Sequence, residues 1–213
     1  MRKLAPLAII VALALACVAS ANLLVNPGFE IGAAGGQVAT NWWDYDGSGV
    51  ESWAWRSGTN GYALQGWNNG WWGWFGQDVS SNMIVGDVIT FSIWGLAESG
   101  FTSFGNEAYM ALELWTNGAA TYTVKVTNNI YWGLTGNREN WAMYTLSFTN
   151  SIAGLNLIKP LINSGGWTSG LVGNQALKFD DADLTIAIPE PTMAAMLGFA
   201  GLIFLAARRM VRK

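Results

Sequence analysis

The sequence predicts an all-β fold, a two-sheet β-sandwich placed between two short terminal segments with other roles. Short runs rich in β-branched and aromatic residues recur between clusters of Gly, Asn and Ser. No long segment of the central region has the apolar spacing of a helix. The predicted strands are 52–56, 62–66, 74–79, 88–96, 107–116, 121–127, 141–148, 155–162 and 176–186.

Several of these strands carry further information in their residue patterns. The range 88–96 is apolar on both faces, which predicts a central strand or one covered by a loop. Pro160 has no N–H to donate, so its strand is predicted to be an edge strand or to contain a bulge. Alternation is cleanest in two strands, whose core faces are predicted to be Tyr122, Val124 and Val126 in one and Ala142, Tyr144, Leu146 and Phe148 in the other.

Composition and charge exclude several functions. The chain has no His and a single Cys, so a Ser-His-Asp or Cys-His relay in its usual form is excluded, and zinc sites lose their commonest nitrogen ligand. Residues 22–188 contain 13 acidic and five basic residues, an excess of eight negative charges (13 − 5). This charge argues against a nucleic-acid-binding surface.

Residues 1–21 predict export. Two basic residues precede an uncharged run over 4–18, and small residues (Ala-Ser-Ala) occupy 19–21, as in a Sec-type signal peptide. We therefore expect signal peptidase to cut after residue 21. Lipidation of Cys17 is the alternative, but Ala14 stands three residues before it, where lipoprotein signals prefer Leu.

Residues 189–213 combine a proline motif, an apolar run and a basic tail. Pro189, Glu190 and Pro191 precede 16 uncharged residues, close to the length of a spanning helix. The tail residues Arg208, Arg209, Arg212 and Lys213 should retain the chain at the cytoplasmic side of the membrane.

The order of these features closely resembles the PEP-CTERM sorting signal of Gram-negative bacteria. The resemblance implies that an exosortase recognises the Pro-Glu-Pro motif, and that a transmembrane helix holds the protein in the inner membrane until processing. The product would then reach the cell surface or the extracellular space. A plain C-terminal anchor behind a stiff proline linker is the alternative.

Several different short motifs also occur in a definite order through residues 22–188. The region opens with Asn-Leu-Leu-Val-Asn-Pro-Gly-Phe-Glu at 22–30, continues through 85–94 and 140–149, and closes with Leu-Lys-Phe-Asp-Asp-Ala-Asp-Leu at 177–184. Together these motifs resemble the galactose-binding-like jelly roll, and more narrowly the carbohydrate-binding modules of family 4/9 type. The resemblance implies a jelly-roll β-sandwich with a polysaccharide ligand, although this fold also serves as a spacer without a ligand.

The same resemblance implies a structural Ca²⁺ ion where the first and last strands meet. Glu30 and Asp180 or Asp181 would be its side-chain ligands, and carboxylate oxygens are suitable hard donors. Alternation leaves the choice of aspartate open, because it places Asp180 on the face of Ala182 and Leu184 and Asp181 on the face of Phe179, and both faces carry apolar residues. The alternative is a solvated Glu30 and an aspartate pair that only terminates a strand.

Tryptophan is unusually abundant, with 13 residues in the chain. Neighbours in a strand face opposite ways, so adjacent tryptophans cannot both enter one core. An exposed indole can stack on a pyranose ring while amide and carboxylate groups bind its hydroxyls. The candidate glycan-binding residues are Trp42, Trp43, Trp67, Trp71, Trp72 and Trp74. The structural alternative is that these indoles plug loops or the ends of the sandwich.

These interpretations predict an exported, exosortase-sorted surface or matrix protein that binds carbohydrate near exopolysaccharide and performs no catalysis. A structural envelope or matrix protein without a ligand is the main alternative. A glycosidase would need two carboxylates at a controlled separation. No spacing selects a pair among Asp44, Asp46, Glu51, Asp78, Glu98, Glu107, Glu113 and Glu139.

Overall fold

The computed structural model describes residues 21–32, 34–45, 48–65, 73–101, 107–164 and 176–187. Within these ranges the chain forms eleven strands and one short helix, α1 (Tyr131–Gly136). The strands are β1 (Trp43–Tyr45), β2 (Ser48–Glu51), β3 (Gly61–Gln65), β4 (Gly73–Gly76), β5 (Val79–Ser80), β6 (Val88–Ala97), β7 (Ala108–Thr116), β8 (Val124–Asn129), β9 (Ala142–Thr149), β10 (Leu155–Ser164) and β11 (Ala176–Ala187).

The strands form two antiparallel sheets, which confirms the predicted β-sandwich. The six-stranded sheet has the order β1-β4-β10-β7-β8, and β5 also pairs with β10. The five-stranded sheet has the order β2-β3-β11-β6-β9. In the part of the chain that the structure describes, no helix is long and apolar enough to cross a bilayer. Residues 1–20 and the sorting segment 189–213 lie outside that part.

The core between the sheets is centred on Phe75 of β4, which is fully buried. Its ring centroid lies 4.2 Å from that of Tyr62 and 5.6 Å from that of Phe179, both in the opposite sheet. The Phe29 ring, from the segment before β1, lies 5.9 Å away. Tilted and edge-on aromatic pairs add to the free energy of apolar burial. This cluster therefore joins both sheets and the N-terminal segment.

The N-terminal segment lies along β11. The Leu23 N–H donates to the Leu184 carbonyl at 2.8 Å, and the Asn22 side chain accepts from the Leu184 N–H and donates to the Ala182 carbonyl. The Ala182 N–H donates in turn to the Pro27 carbonyl at 2.9 Å. These bonds bring the beginning and the end of the domain together, as the sequence resemblance implied.

A β-bulge interrupts β11 between Asp180 and Asp183. Asp181 adopts a φ of +47° within it, a conformation that Asp tolerates better than most side chains. The bulge resets the alternation of the strand, so Phe179 and Ala182 are both buried in the core although they are three residues apart. The period-two assignment of Asp180 to the face of Ala182 is therefore wrong.

The predicted strand at 52–56 is also wrong, because these residues lie in the 52–60 loop between β2 and β3. The backbone N–H groups of Arg56 and Ser57 donate to the Asp180 carboxylate instead of to a neighbouring strand. The remaining predicted strands coincide with observed ones within a few residues, although 74–79 is divided into β4 and β5. Strands β1 and β2 and helix α1 are too short to give a periodic signal.

Strand β6 is central in its sheet, as its apolar faces predicted. Pro160, by contrast, lies in β10, which is also central, so the edge alternative is wrong. The strand does contain an irregularity, between Leu155 and Leu157, but this lies several residues before Pro160. The Gln77 N–H donates to the Pro160 carbonyl at 3.3 Å, which shows that Pro160 faces the interruption between β4 and β5. The missing N–H of proline falls at a point where no regular ladder exists to need it.

Replacing Phe75 by Ala should destabilise the domain strongly, because it empties the centre of the aromatic cluster. We expect a loss of about 3–5 kcal/mol in the free energy of unfolding, measured by chemical denaturation followed by circular dichroism. Val85→Ala is the control, since Val85 is 58% exposed and its loss should stay within about 0.5 kcal/mol. Similar losses for both variants would contradict the role given to Phe75.

Candidate functional site

The outer face of the six-stranded sheet carries an open groove with a volume of about 590 Å³. Four aromatic side chains line it: Trp43, Trp74, Trp115 and Tyr122. Four charged side chains line it as well: Asp78, Glu113, Lys125 and Lys159. We call this feature the groove, and its side chains come from β1, β4, β7, β8, β10 and the adjoining loops.

Cross-strand register places these side chains side by side. Trp43 pairs with Gly76, which is itself opposite Leu161 in β10. A Cβ atom on Gly76 would lie 2.6 Å from the Trp43 indole, so the absence of a side chain there lets the ring lie across β4. Gly76 and Leu161 are buried beneath this face. The indole therefore forms one end of the groove.

The charged residues form a second row across the strands. Lys159 is opposite Glu113, which is opposite Lys125. Lys125 Nζ lies 3.0 Å from Glu113 Oε1, and Lys159 Nζ lies 3.0 Å from Asp78 Oδ2. Asp78 Oδ1 also accepts a hydrogen bond of 2.8 Å from Trp43 Nε1. The four charges thus form two ion pairs with no net charge.

Aromatic rings stand next to these pairs. The Trp43 and Trp74 rings are 6.1 Å apart at an angle of 78°, and Trp115 and Tyr122 are 6.3 Å apart at 85°. Lys159 Nζ lies 4.8 Å from the Trp115 ring centre, within the range of a cation–π contact. Burial lowers the pKa of Lys125, but its hydrogen bond to Glu113 and the coulombic attraction of Glu113, Tyr109 and Tyr122 together outweigh that effect, and the net shift is upward. The groove therefore presents ring faces beside fixed hydrogen-bonding charges.

The structure divides the tryptophans that the sequence selected. Trp43 and Trp74 line the groove. Trp42 is only 6% exposed; it packs against Phe29 and donates from Nε1 to the Asn26 carbonyl at 3.0 Å, so it belongs to the core instead of a binding surface. Trp67, Trp71 and Trp72 lie outside the described residues.

The prediction that Tyr122 lies on the core face of its strand is wrong: β8 begins only at Val124, and the Tyr122 side chain is 46% exposed and lines the groove. Sequence reasoning also did not select Trp115, Lys125 and Lys159 as binding residues. A signal was present in 107–116, where Glu113 and Trp115 alternate with the buried Leu112 and Leu114 and so share the outer face. Nothing in the sequence indicates that β10 lies between β4 and β7. The partners across the sheet could not be identified without that strand order.

Glu30, Asp180 and Asp181 approach one another at the bulge in β11, in the five-stranded sheet. We call them the carboxylate cluster. A Cβ atom on Gly28 would lie 3.8 Å from Asp181 Oδ1 and 3.9 Å from Asp180 Oδ1. Gly58, at a φ of +67°, leaves room for Glu30 Oε1, which would be 1.9 Å from a Cβ atom there. The 52–60 loop thus meets all three carboxylates.

Every oxygen of the carboxylate cluster accepts a hydrogen bond from the protein. The two oxygens of Glu30 accept from the N–H and hydroxyl of Thr59 at 2.9 and 2.7 Å. Asp180 is fully buried and accepts from the N–H groups of Arg56, Ser57 and Asp181 at 2.8, 2.9 and 2.7 Å. Asp181 accepts from the Ser57 hydroxyl at 2.7 Å and from the Arg56 guanidinium.

This donor set does not fit a calcium ion unless the ion displaces protein donors. Each carboxylate oxygen is already engaged, and Arg56 supplies a positive charge. No group of three or more His, Cys, Asp or Glu residues within the described ranges is arranged to hold a metal. Calcium at Glu30, Asp180 and Asp181 therefore stays a prediction of the resemblance.

The carboxylates differ in their pKa shifts. Burial raises the pKa of Asp180, and hydrogen bonds from Ser57, Arg56 and Asp181 offset only part of that rise. Burial acts in the same direction on Glu30, but the hydrogen bonds from Thr59 and Asn60 prevail and its pKa is lowered. The loop therefore stabilises the ionised form of Glu30.

The acids considered for a glycosidase are placed in different parts of the fold. Asp78 and Glu113 both line the groove, but each is engaged by a lysine at 3.0 Å. Glu98 pairs with Lys178 at 3.0 Å in the five-stranded sheet. Asp46 lies outside the described residues.

Comparisons with known proteins show what the fold is similar to. No protein-family model and no curated protein matches the chain. Among solved structures, TmCBM61 in complex with beta-1,4-galactotriose is 17% identical, with a TM-score of 0.50 over 79% of this chain and all of the other. A family 16 carbohydrate-binding module is 19% identical, with a TM-score of 0.51 over 78% and 99%.

A cyclase from Fischerella sp. TAU is also similar, with 16% identity and a TM-score of 0.54 over 81% of this chain and 100% of the cyclase. At such identities the likeness shows the fold alone. The chain therefore has a jelly-roll-like β-sandwich of the kind found in carbohydrate-binding modules, and its function must be argued from the groove.

The lowered pKa of Glu30 predicts a contribution to acid stability. A carboxylate with a folded-state pKa below its unfolded value of 4.5 stabilises the fold above that value, and the contribution is lost as the pH falls through the folded-state pKa. Glu30→Gln should therefore make the loss of unfolding free energy between about pH 5 and pH 3 shallower. Denaturant titrations across that range measure it.

Asp183→Asn provides the opposite case. Burial raises the pKa of Asp183, so the folded state binds this proton at a higher pH than the unfolded state does. Protonation of Asp183 therefore stabilises the fold as the pH falls. Replacing this carboxylate should therefore make the loss of unfolding free energy at acid pH steeper. If the unfolding free energy depends on pH with the same slope in both variants and in the unmodified protein, the pKa shifts assigned to Glu30 and Asp183 are wrong.

Proposed function

We propose that the groove binds the internal part of a polysaccharide chain and that the protein acts by adhesion, without catalysis. The observation that carries this proposal is the combination in one open groove of indole faces with hydrogen-bonding charges. Trp43 and Trp74 can stack on the C–H faces of sugar rings. Asp78, Glu113 and the two lysines can bond to hydroxyl groups, which both donate and accept.

The pairing of charges favours an uncharged glycan. Asp78 neutralises Lys159 and Glu113 neutralises Lys125, so a ligand carboxylate would find no free cation among the described residues that line the groove. Residues 22–188 also carry eight excess negative charges (13 − 5), which repel polyanions. A hydroxyl group carries no charge, so it needs no free cation and is not repelled by the negative domain. It can form hydrogen bonds beside an existing ion pair. Two structures of similar fold support the class of ligand: one is a complex with beta-1,4-galactotriose and the other is a carbohydrate-binding module.

Saturable binding should depend on the groove tryptophans. Trp43→Ala and Trp74→Ala are each expected to weaken binding to a neutral polysaccharide about tenfold, or about 1.4 kcal/mol, because each removes a stacking surface. Affinity electrophoresis and isothermal titration calorimetry with galactan, xylan and β-glucan measure the effect.

Trp132→Ala is the matched control, because Trp132 is 67% exposed on α1 and does not line the groove. Its binding should equal that of the unmodified protein. Absence of binding to every polysaccharide would favour the structural matrix protein instead. A glycosidase is the other alternative, because two acids lie in one groove. Release of reducing ends by the unmodified protein, lost in Asp78→Asn or Glu113→Gln, would favour it.

We also propose that the chain is exported by the Sec pathway and sorted by an exosortase to the cell surface or extracellular matrix. The support is sequence alone: the signal peptide pattern at 1–21, and the order of proline motif, apolar run and basic tail at 189–213. Signal peptidase, exosortase and, before processing, the inner membrane would be its partners. A glycan-binding domain released there would contact exopolysaccharide.

Export and sorting predict two cuts in a Gram-negative host that has an exosortase. Mass spectrometry of the surface fraction should find a chain that begins at Asn22 and lacks the tail ending at Lys213. Disruption of the motif by Pro189→Ala and Pro191→Ala should leave the tail attached and the protein in the inner membrane. An identical distribution for the variant would contradict sorting at the motif but leave export intact.

A further inference from the structure

We propose that the guanidinium group of Arg56 is the structural cation of the carboxylate cluster, in the role that the sequence resemblance assigns to calcium. Arg56 is in the 52–60 loop, and the cluster joins that loop to β11 and to the N-terminal segment. The cluster belongs to the five-stranded sheet, whereas the groove is on the six-stranded sheet. The inference is therefore independent of glycan binding.

The three carboxylates of the cluster repel one another, and a nearby cation reduces that repulsion. Glu30, Asp180 and Asp181 bring three carboxylates together, and Asp180 is fully buried. A buried carboxylate needs hydrogen bonds or a nearby positive charge to remain ionised. The cation observed beside them is the Arg56 side chain, which pairs with Asp181.

Arg56 makes three contacts here, two with the cluster and one with Trp94. Its guanidinium donates to Asp181 Oδ2, its backbone N–H donates to Asp180 Oδ2 at 2.8 Å, and its guanidinium carbon lies 3.8 Å from the centre of the Trp94 ring. Trp94 is opposite Asp180 in the β6–β11 ladder. A flat guanidinium can stack on an indole and bond to a carboxylate at the same time, which a hydrated ammonium does less well.

The surrounding donors complete the coordination that a metal would otherwise supply. Ser57 donates from its N–H to Asp180 and from its hydroxyl to Asp181, and Thr59 donates twice to Glu30. Five of the six oxygens therefore have a partner in one continuous loop, and the sixth, Asp180 Oδ1, accepts from the Asp181 N–H within the bulge. The β-bulge aims both aspartates at that loop. The fold is closed at this end by protein groups, and its stability is independent of calcium.

The test is thermal unfolding of the purified full-length chain in millimolar CaCl2 and in EDTA, followed by circular dichroism. We expect the same Tm in both solutions. Arg56→Gln should lower the Tm by about 2–8 °C, since it leaves the carboxylates without their cation. Arg138→Gln is the matched control, because it removes the same charge from a guanidinium that donates to the Glu98 carbonyl, and its Tm should change less.

A double-mutant cycle identifies the partner. Arg56→Gln should cost much less stability in an Asp181→Asn background than in the unmodified chain. Arg56→Lys keeps the charge without the planar fork and remains measurable if Arg56→Gln does not fold. A Tm that is higher in CaCl2 than in EDTA would overturn the proposal in favour of calcium, and so would equal costs of Arg56→Gln in both backgrounds.

Discussion

The inward position of Phe75 determines which aromatic residues face the outer groove. Its ring packs against Tyr62 and Phe179 of the opposite sheet, so a one-residue shift in the pairing of β4 would turn it out of the core. Trp74 and Gly76 must then face outward. Because β1 pairs with β4, the same register puts Trp43 over Gly76. The outer groove is thus a consequence of the core.

Alternation along single strands could be predicted from the sequence, whereas relations between strands could not. The period-two pattern located β9 and its core face, and the apolar faces of β6 indicated a central strand. The groove depends instead on β10 lying between β4 and β7, which brings Lys159 beside Glu113. Such long-range register follows from packing of the whole domain and leaves no local signal.

The prediction from period-two alternation is wrong at the bulge in β11, which is where the carboxylate cluster lies. A regular strand would have pointed Asp180 and Asp181 to opposite faces. The extra residue at the bulge lets both bond to the 52–60 loop while Phe179 stays in the core. The same loop explains why 52–56 is not a strand, since its backbone donors are used by Asp180. One local irregularity accounts for both errors.

The basic residues show how a domain with so few cations uses them. Four of the five between residues 22 and 188 are each paired with a carboxylate and also lie over an aromatic ring; the pairs are Arg56 with Asp181, Lys125 with Glu113, Lys159 with Asp78 and Lys178 with Glu98. Ring and carboxylate together hold each cation in a fixed position on the outer face of a sheet. These cations are therefore not free to attract anions, and the surface that remains is negative. This distribution of charge is consistent with the uncharged ligand that we propose for the groove, where rings stand beside hydroxyl-bonding groups.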